Sequence, residues 1–323
     1  MMTNRVAEIL KVEKPIIQAP LFWLTDDKLV AAASNAGGLG TLGFNAGQTE
    51  MTRSIDVTMD RTRAEIQKVK ALTNKPFGLN ILAIDDDFFE PTLQVMIDEK
   101  VPVAVAAGDF TQAAFDKLKA AGITIVYRPL NPSVEITKRA VAAGADIIVA
   151  TGFDEGGTVP DKVIGTLSVT PMIVDAAGDV PVMAAGGIVD ARTAKAVFDL
   201  GAEGLYVGTA FMMSEESRMA DNIKQQALDE DADDLVMYRT EPAYYRSLPG
   251  ELPNKLVQMD NDSASREEIY KASNAFDGMR LGMLVGDLTQ GYASFGLGIS
   301  QINKIESVAT IMDRLYAGVP VEN

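Results

Sequence analysis

The sequence predicts an α/β fold, a TIM (β/α)8 barrel with a C-terminal helical or lid insertion, and three observations predict it. Eight short, apolar, β-rich runs alternate with amphipathic segments from Lys14 onward. Runs such as 103–107 (VAVAA) and 147–150 (IIVA) are apolar on both faces, which suits a parallel strand covered by helices outside and side chains inside. Several connecting segments end in one small signature just before a strand begins: Ala121-Gly122, Ala143-Gly144-Ala145 and Leu200-Gly201-Ala202.

The predicted strands cover 15–20, 38–44, 76–82, 101–107, 123–129, 146–151, 181–188 and 204–211. Helical stretches at 29–36, 61–72, 110–121, 133–143 and 191–200 are each long enough to cross one layer of a parallel sheet. The recurring glycines read as helix caps, because only a residue without Cβ reverses the chain through a left-handed conformation at little cost. Eight such units favour a closed barrel over an open doubly wound sheet. The pattern changes after Ser214: 223–233 is helical and then acidic, and 238–274 is mixed, with prolines at 242, 249 and 253. The expected organisation is a barrel core over 1–213, a helical or lid subdomain over 214–299, and a C-terminal part, 300–323, whose amphipathic helix (300–316) packs back on the barrel.

Composition narrows the chemistry. The chain has no cysteine, which excludes disulfides, thiolate nucleophiles and iron–sulfur clusters. It has no histidine either, so acid–base work falls to Asp, Glu, Lys, Tyr and Arg, and a cofactor that brings its own reactivity suits such a chain. Lys and Arg number 29 against 45 Asp and Glu, a formal charge of −16. That field opposes nucleic acid and anionic membranes, and any bound anion must be captured by local backbone N–H groups or a placed cation. The N-terminal stretch lacks a basic segment followed by a long apolar run, and no run of about 18 uninterrupted apolar residues follows, so the expected location is cytoplasmic.

Gly38-Leu39-Gly40-Thr41-Leu42-Gly43 fits G-x-G-x-x-G, but a helix precedes it and a strand follows, the reverse of a dinucleotide-binding turn. It reads as a helix cap leading into a closely packed strand. More informative is Ala184-Ala185-Gly186-Gly187-Ile188, where the seventh strand ends and a helix starts near Asp190, a good N-cap. Val207-Gly208-Thr209-Ala210-Phe211 repeats the arrangement after the eighth strand, and the loops after strands seven and eight are where barrels most often bind phosphate. After strand six, Thr151-Gly152-Phe153-Asp154-Glu155-Gly156-Gly157-Thr158 joins two carboxylates to glycines that permit close approach to a flat ring, or is a flexible acidic loop. Gln18-Ala19-Pro20 and Asn80 end strands one and three, on the catalytic face; the Asn80 amide suits either a heterocycle edge or a tie between loops. Tyr127-Arg128 ends strand five, where the arginine offsets an anion or forms an ion pair. Asp85-Asp86-Asp87 and the acidic run 229–234 lack the spacing of a calcium loop and read as solvated faces, so no metal is expected.

Taken as a set, Pro15-Ile16-Ile17-Gln18-Ala19-Pro20, Asn35-Ala36-Gly37-Gly38-Leu39-Gly40, Gly78-Leu79-Asn80, Gly152…Gly156-Gly157, Ala184–Ile188 and Gly208-Thr209-Ala210-Phe211 resemble the nitronate monooxygenase family, formerly 2-nitropropane dioxygenases. FMN-dependent enoyl-acyl-carrier-protein reductases belong to the same superfamily. The resemblance runs from about Lys14 to Ser217 and implies FMN at the C-terminal face of the barrel. It implies Ala19 and Pro20 along the isoalloxazine, Asn80 at its edge, and Gly186, Gly187, Gly208 and Thr209 on the phosphate. Leu21, Gly152, Gly156, Gly157 and Ala185 complete the implied cofactor set.

One position departs from the pattern. Relatives read Gly-Gly-His after strand six, with the histidine facing the flavin, whereas this chain has Thr158, which hydrogen-bonds but does not titrate near neutral pH. Thr158, Glu155 and Asp154 are the candidate catalytic residues. The expected activity is oxidation of a small anionic substrate such as a nitronate, or of NAD(P)H, with oxygen or a quinone-like acceptor. A nitronate is already an anion and needs no proton from this loop. The alternative is an NAD(P)H-dependent enoyl-acyl-carrier-protein reductase, with Tyr127 or Glu155 near the proton donor and Arg246 and Lys255 as a docking patch for the acidic carrier protein. A flavin-binding protein without catalysis is the third reading. Beyond a small-molecule substrate, a homodimer stays open as an assembly.

Overall fold

In the computed structural model, which describes residues 4–320, the eight predicted strand regions each overlap a barrel strand. The outermost residues of the predicted terminal segments, 1–3 and 321–323, lie outside the described residues. Numbered in chain order, the barrel strands are β1 (Ile16–Gln18), β2 (Gly40–Leu42), β3 (Phe77–Ala83), β4 (Val103–Phe110), β5 (Thr124–Arg128), β6 (Ile147–Thr151), β8 (Val182–Ala185) and β9 (Gly204–Val207). All pair in parallel in the order β1-β9-β8-β6-β5-β4-β3-β2. The ring closes between β1 and the entry to β2, where Gln18 N–H donates to Leu39 C=O and Leu39 N–H donates to Ile16 C=O, both at 2.9 Å.

Strand residues alternate between two apolar layers, as a period of two demands. Val103, Val105, Val126, Ile147 and Val149 meet in the barrel interior with Ile17, Leu39 and Met183. Ala104, Ala106, Ile125, Tyr127 and Ile148 point outward into the layer shared with the helices. The helix-capping glycines behave as read from the sequence: Gly144 has φ +96° and closes Val134–Ala143, and Gly122 and Gly201 also have positive φ. The G-x-G-x-x-G stretch holds no dinucleotide turn. Gly40 lies in β2 against helix Asp27–Asn35, where a Cβ would fall 2.1 Å from the Val30 carbonyl oxygen.

Three features differ from the sequence reading. β4 runs on to Phe110, so the next helix begins at Gln112, capped by Thr111. The predicted helix at 300–316 is a 3-10 turn, Leu297–Gln301, followed by helix Val308–Tyr316, which starts at Ser307 because its hydroxyl caps Thr310 N–H. A second sheet was not foreseen: β7 (Gly157–Val159), β10 (Val236–Arg239) and β11 (Tyr244–Ser247) form an antiparallel sheet in the order β10-β11-β7. β7 has only three residues inside a glycine-rich loop, too short for a periodicity signal. It nevertheless ties the loop after β6 to the segment beyond Ser214. That segment shares an apolar core with the barrel, in which Phe211, Met219, Leu248, Phe295 and Met312 pack together. No helix among the described residues is long and apolar enough to cross a membrane.

Candidate active site

A cavity of about 400 Å³ opens at the C-terminal ends of the barrel strands. Of the twelve residues assigned to the cofactor from sequence, Ala19, Pro20, Leu21, Asn80, Gly156, Gly157, Ala185, Gly186, Gly187, Gly208 and Thr209 line it; Gly152 does not. Gly152 packs beneath the loop, where a Cβ would lie 2.2 Å from Thr166 Oγ1. Of the candidate catalytic residues, Thr158 and Glu155 line the cavity and Asp154 does not.

One end of the cavity is made of backbone. Gly186 and Gly187 follow β8 with φ of +100° and +69°, conformations that a side chain strains against. Gly208 follows β9 with ordinary φ, and the space where its Cβ would project holds only Leu21 Cδ2 within 4 Å, at 3.6 Å. Among the described residues no acceptor meets the N–H groups of Gly187, Gly208 or Thr209. The N–H groups at the start of the following helix are already taken. The Asp190 carboxylate accepts from Arg192 and Thr193, and the Thr193 hydroxyl accepts from Val189 and Asp190. The available donors are therefore those of the two turns, a neutral cradle fitted to a phosphate in a strongly acidic protein. The Thr209 hydroxyl accepts from Gly296 N–H at 3.1 Å and keeps its own proton to donate. Ala19, Pro20 and Leu21 give an adjoining apolar wall.

The other end is made of side chains. Arg128 ends β5 and forms an ion pair with Glu155 from the loop after β6; both are largely buried and both line the cavity. The pair takes Glu155 Oε2, while Glu155 Oε1 is buried with no hydrogen-bond partner. Burial pushes the Glu155 carboxyl up to about 7, against the pull of Arg128. Tyr206, from β9, joins this wall with a hydroxyl pushed upward by burial. Thr158 sits in β7 opposite Tyr245. Asn80 is 2% exposed and donates from Nδ2 to Val105 C=O at 2.8 Å, so it ties β3 to β4 as well as facing the cavity.

The loop that presents Glu155 is held from two sides. The Asp154 carboxylate accepts from Thr166 N–H and so caps helix Thr166–Ala177, whose own N-cap Gly165 has no side chain to do it. Arg246, on β11, is 5% exposed, donates to the Phe153 carbonyl at 2.7 Å and to the Glu155 carbonyl, and stacks on the Phe153 ring. This burial removes Arg246 from any docking patch; Lys255 is exposed. Tyr127 is excluded as a proton donor. It is fully buried on the outward face of β5, against Phe110 and Phe115, with its hydroxyl donating to Gly108 C=O at 2.9 Å.

Sequence reasoning missed the cover of the site. Phe276, Met279 and Met283 line the cavity from the C-terminal segment, joined by Pro242 and Ser294, and Phe276 approaches Phe22 at 6.2 Å. These residues carry no local motif, and only the fold brings them there. Tyr206 had a signal in the parity of β9, since the residue two before Gly208 falls on the interior side. The acidic run brings the carboxylates of Asp231, Asp233 and Asp234 within 4.8 Å of one another on the exposed surface, with Asp234 already accepting from Asp231 N–H.

Comparison with known proteins agrees with this geometry. A family model described as nitronate monooxygenase matches residues 3–318. A (3aS,4S,5R,7aS)-5-hydroxy-7a-methyl-1-oxo-octahydro-1H-indene-4-carboxyl-CoA dehydrogenase of Rhodococcus jostii is 33% identical over 293 residues, covering 89% of this chain and 78% of that protein. A nitronate monooxygenase of Pseudomonas aeruginosa is 33% identical over 261 residues, covering 67% of this chain and 71% of that protein. The structure of FabK from Thermotoga maritima superposes with a TM-score of 0.85 at 28% identity, covering 99% of this chain and 96% of that one. With the motifs, the barrel and the family match in agreement, the chain belongs to the nitronate monooxygenase family and is an oxidoreductase.

Proposed function

We propose that the chain is an FMN-dependent oxidoreductase of the nitronate monooxygenase type, which oxidises a small anionic substrate such as a nitronate with oxygen or a quinone-like acceptor. The observation that carries this reading is a single cavity with a side-chain-free cradle at one end and Arg128, Glu155 and Thr158 at the other. FMN in this site supplies a two-electron acceptor, the chemistry that a chain without cysteine or histidine lacks. The N–H groups of Gly187, Gly208 and Thr209 would hold its phosphate, and Ala19, Pro20, Leu21 and Asn80 would receive its ring.

Arg128 is the cation among the residues lining the cavity, and it draws an anionic substrate to the reacting end. Thr158 donates a hydrogen bond to that substrate. Phe22, Phe276, Met279 and Met283 cover the site and exclude water, which strengthens both interactions.

A second reading has its own support. The Rhodococcus jostii relative is by name a dehydrogenase of a CoA thioester, and the apolar cover suits an acyl chain. Here NAD(P)H would be the electron source and a CoA or acyl-carrier-protein thioester the partner. Anaerobic mixing of the yellow holoprotein with a nitronate, with NAD(P)H, and with NAD(P)H plus a crotonyl thioester separates the two. Rapid bleaching by the nitronate alone supports the first reading. Bleaching by NAD(P)H followed by reoxidation with the thioester, without a response to nitronate, replaces it with the second.

A further inference from the structure

The geometry points to Ser294 as a substrate-binding residue: its hydroxyl donates a hydrogen bond to the anionic oxygen of the substrate, and Tyr245 positions that hydroxyl. The inference rests on the small-anion reading above and names an uncharged contact that complements Arg128. Ser294 lines the cavity, and its Oγ is hydrogen-bonded to the Tyr245 hydroxyl. It lies at the reacting end, because a Cβ on Gly157 would fall 3.2 Å from Ser294 Oγ and Gly157 immediately precedes Thr158. Thr158 in turn pairs with Tyr245 across β7 and β11. Three segments far apart in sequence therefore bring Thr158, Tyr245 and Ser294 together.

Two hydroxyls can bond in either direction, and their chemistry selects one here. A phenol, which ionises at about pH 10, is a stronger donor than an aliphatic alcohol. Tyr245 is 5% exposed, and its ring is held by Tyr238, stacked at 5.9 Å, and by Tyr292, edge-on at 4.6 Å. Burial pushes its hydroxyl further up, so it keeps its proton. Among the described residues Ser294 Oγ is the one hydrogen-bond partner of that hydroxyl. With Tyr245 donating to Oγ, the Ser294 proton is left for a group in the cavity, and an oxygen that accepts one hydrogen bond donates the next more strongly. Arg128 attracts the anion by charge from the end of β5, whereas Ser294 fixes where its oxygen lies. No proton is transferred, and the Ser294 O–H bond stays intact.

The test uses the FMN-loaded full chain and the variants S294A, S294T, Y245F and the double variant Y245F/S294A. The probe is isobutyrate, an unreactive carboxylate with the shape of propane-2-nitronate, and its Kd is measured by calorimetric titration. S294A should raise this Kd, and KM for propane-2-nitronate, about tenfold, the loss of one hydrogen bond to a charged group. S294T should recover most of the loss. Y245F should raise Kd roughly threefold when Ser294 is present and leave it unchanged when Ala stands there, because the phenol acts only through the serine. An S294A Kd equal to that of the wild type would overturn the assignment, as would a Y245F effect of the same size in both backgrounds or a wild type that does not bind isobutyrate. If the wild type binds isobutyrate but does not oxidise the nitronate, the nitronate-type reading fails, while the four Kd values still decide the role of Ser294.

Discussion

The two ends of the cavity are built by opposite means. At the end proposed for the phosphate, two turns after β8 and β9 offer backbone N–H groups, and the need is for absent side chains. At the reacting end, Arg128, Glu155, Thr158 and Tyr206 come from three different segments, and the loop carrying two of them is held by Arg246 from about ninety residues downstream. The first arrangement depends on local conformation and the second on tertiary packing. Damage at the first should abolish cofactor binding with the fold intact, whereas damage at the second should loosen the loop and change kinetics and stability together.

The largest effect is expected at the phosphate end. Gly208→Asp places a carboxylate where its Cβ meets nothing closer than Leu21 Cδ2 at 3.6 Å, so the fold should tolerate it while the charge repels phosphate. The flavin-to-protein ratio should drop, with FMN Kd rising at least 100-fold and the far-UV circular dichroism unchanged. Unaltered FMN retention would move the phosphate elsewhere and break the contrast between the ends.

Arg246→Met comes next. It removes charge-assisted donors to two buried carbonyls, worth about 2–3 kcal/mol in unfolding free energy. Denaturant titration should show this loss, and KM should rise roughly tenfold as the loop 152–159 loosens, with FMN still bound. A stability loss without any change in KM would mean that the loop keeps its shape unaided. Asp154→Ala is the smallest of the three. It deletes a helix cap and should cost about 1 kcal/mol of stability. A collapse of kcat with stability intact would instead return Asp154 to the catalytic set.

This contrast also explains what was legible in the sequence. The barrel was readable because each βα unit declares itself locally: two-faced apolar runs such as 147–150, and glycines such as Gly144 that only a left-handed cap requires. Gly186, Gly187 and Gly208 could be placed on the cavity wall for a similar reason, since they follow directly on the last two barrel strands. Asp154 and Glu155 were distinguishable only in three dimensions. Adjacent in sequence, one caps a helix and the other enters the cavity. β7 and the cover formed by Phe276, Met279 and Met283 were invisible because their partners lie far along the chain and no periodicity announces them.

The central claim is the backbone-built FMN site, and its most direct test is the absorption spectrum of the purified protein followed by identification of the cofactor released on heating. The account predicts flavin bands and the release of FMN, not FAD, in near-stoichiometric amount. A colourless protein that takes up no FMN on reconstitution would contradict it.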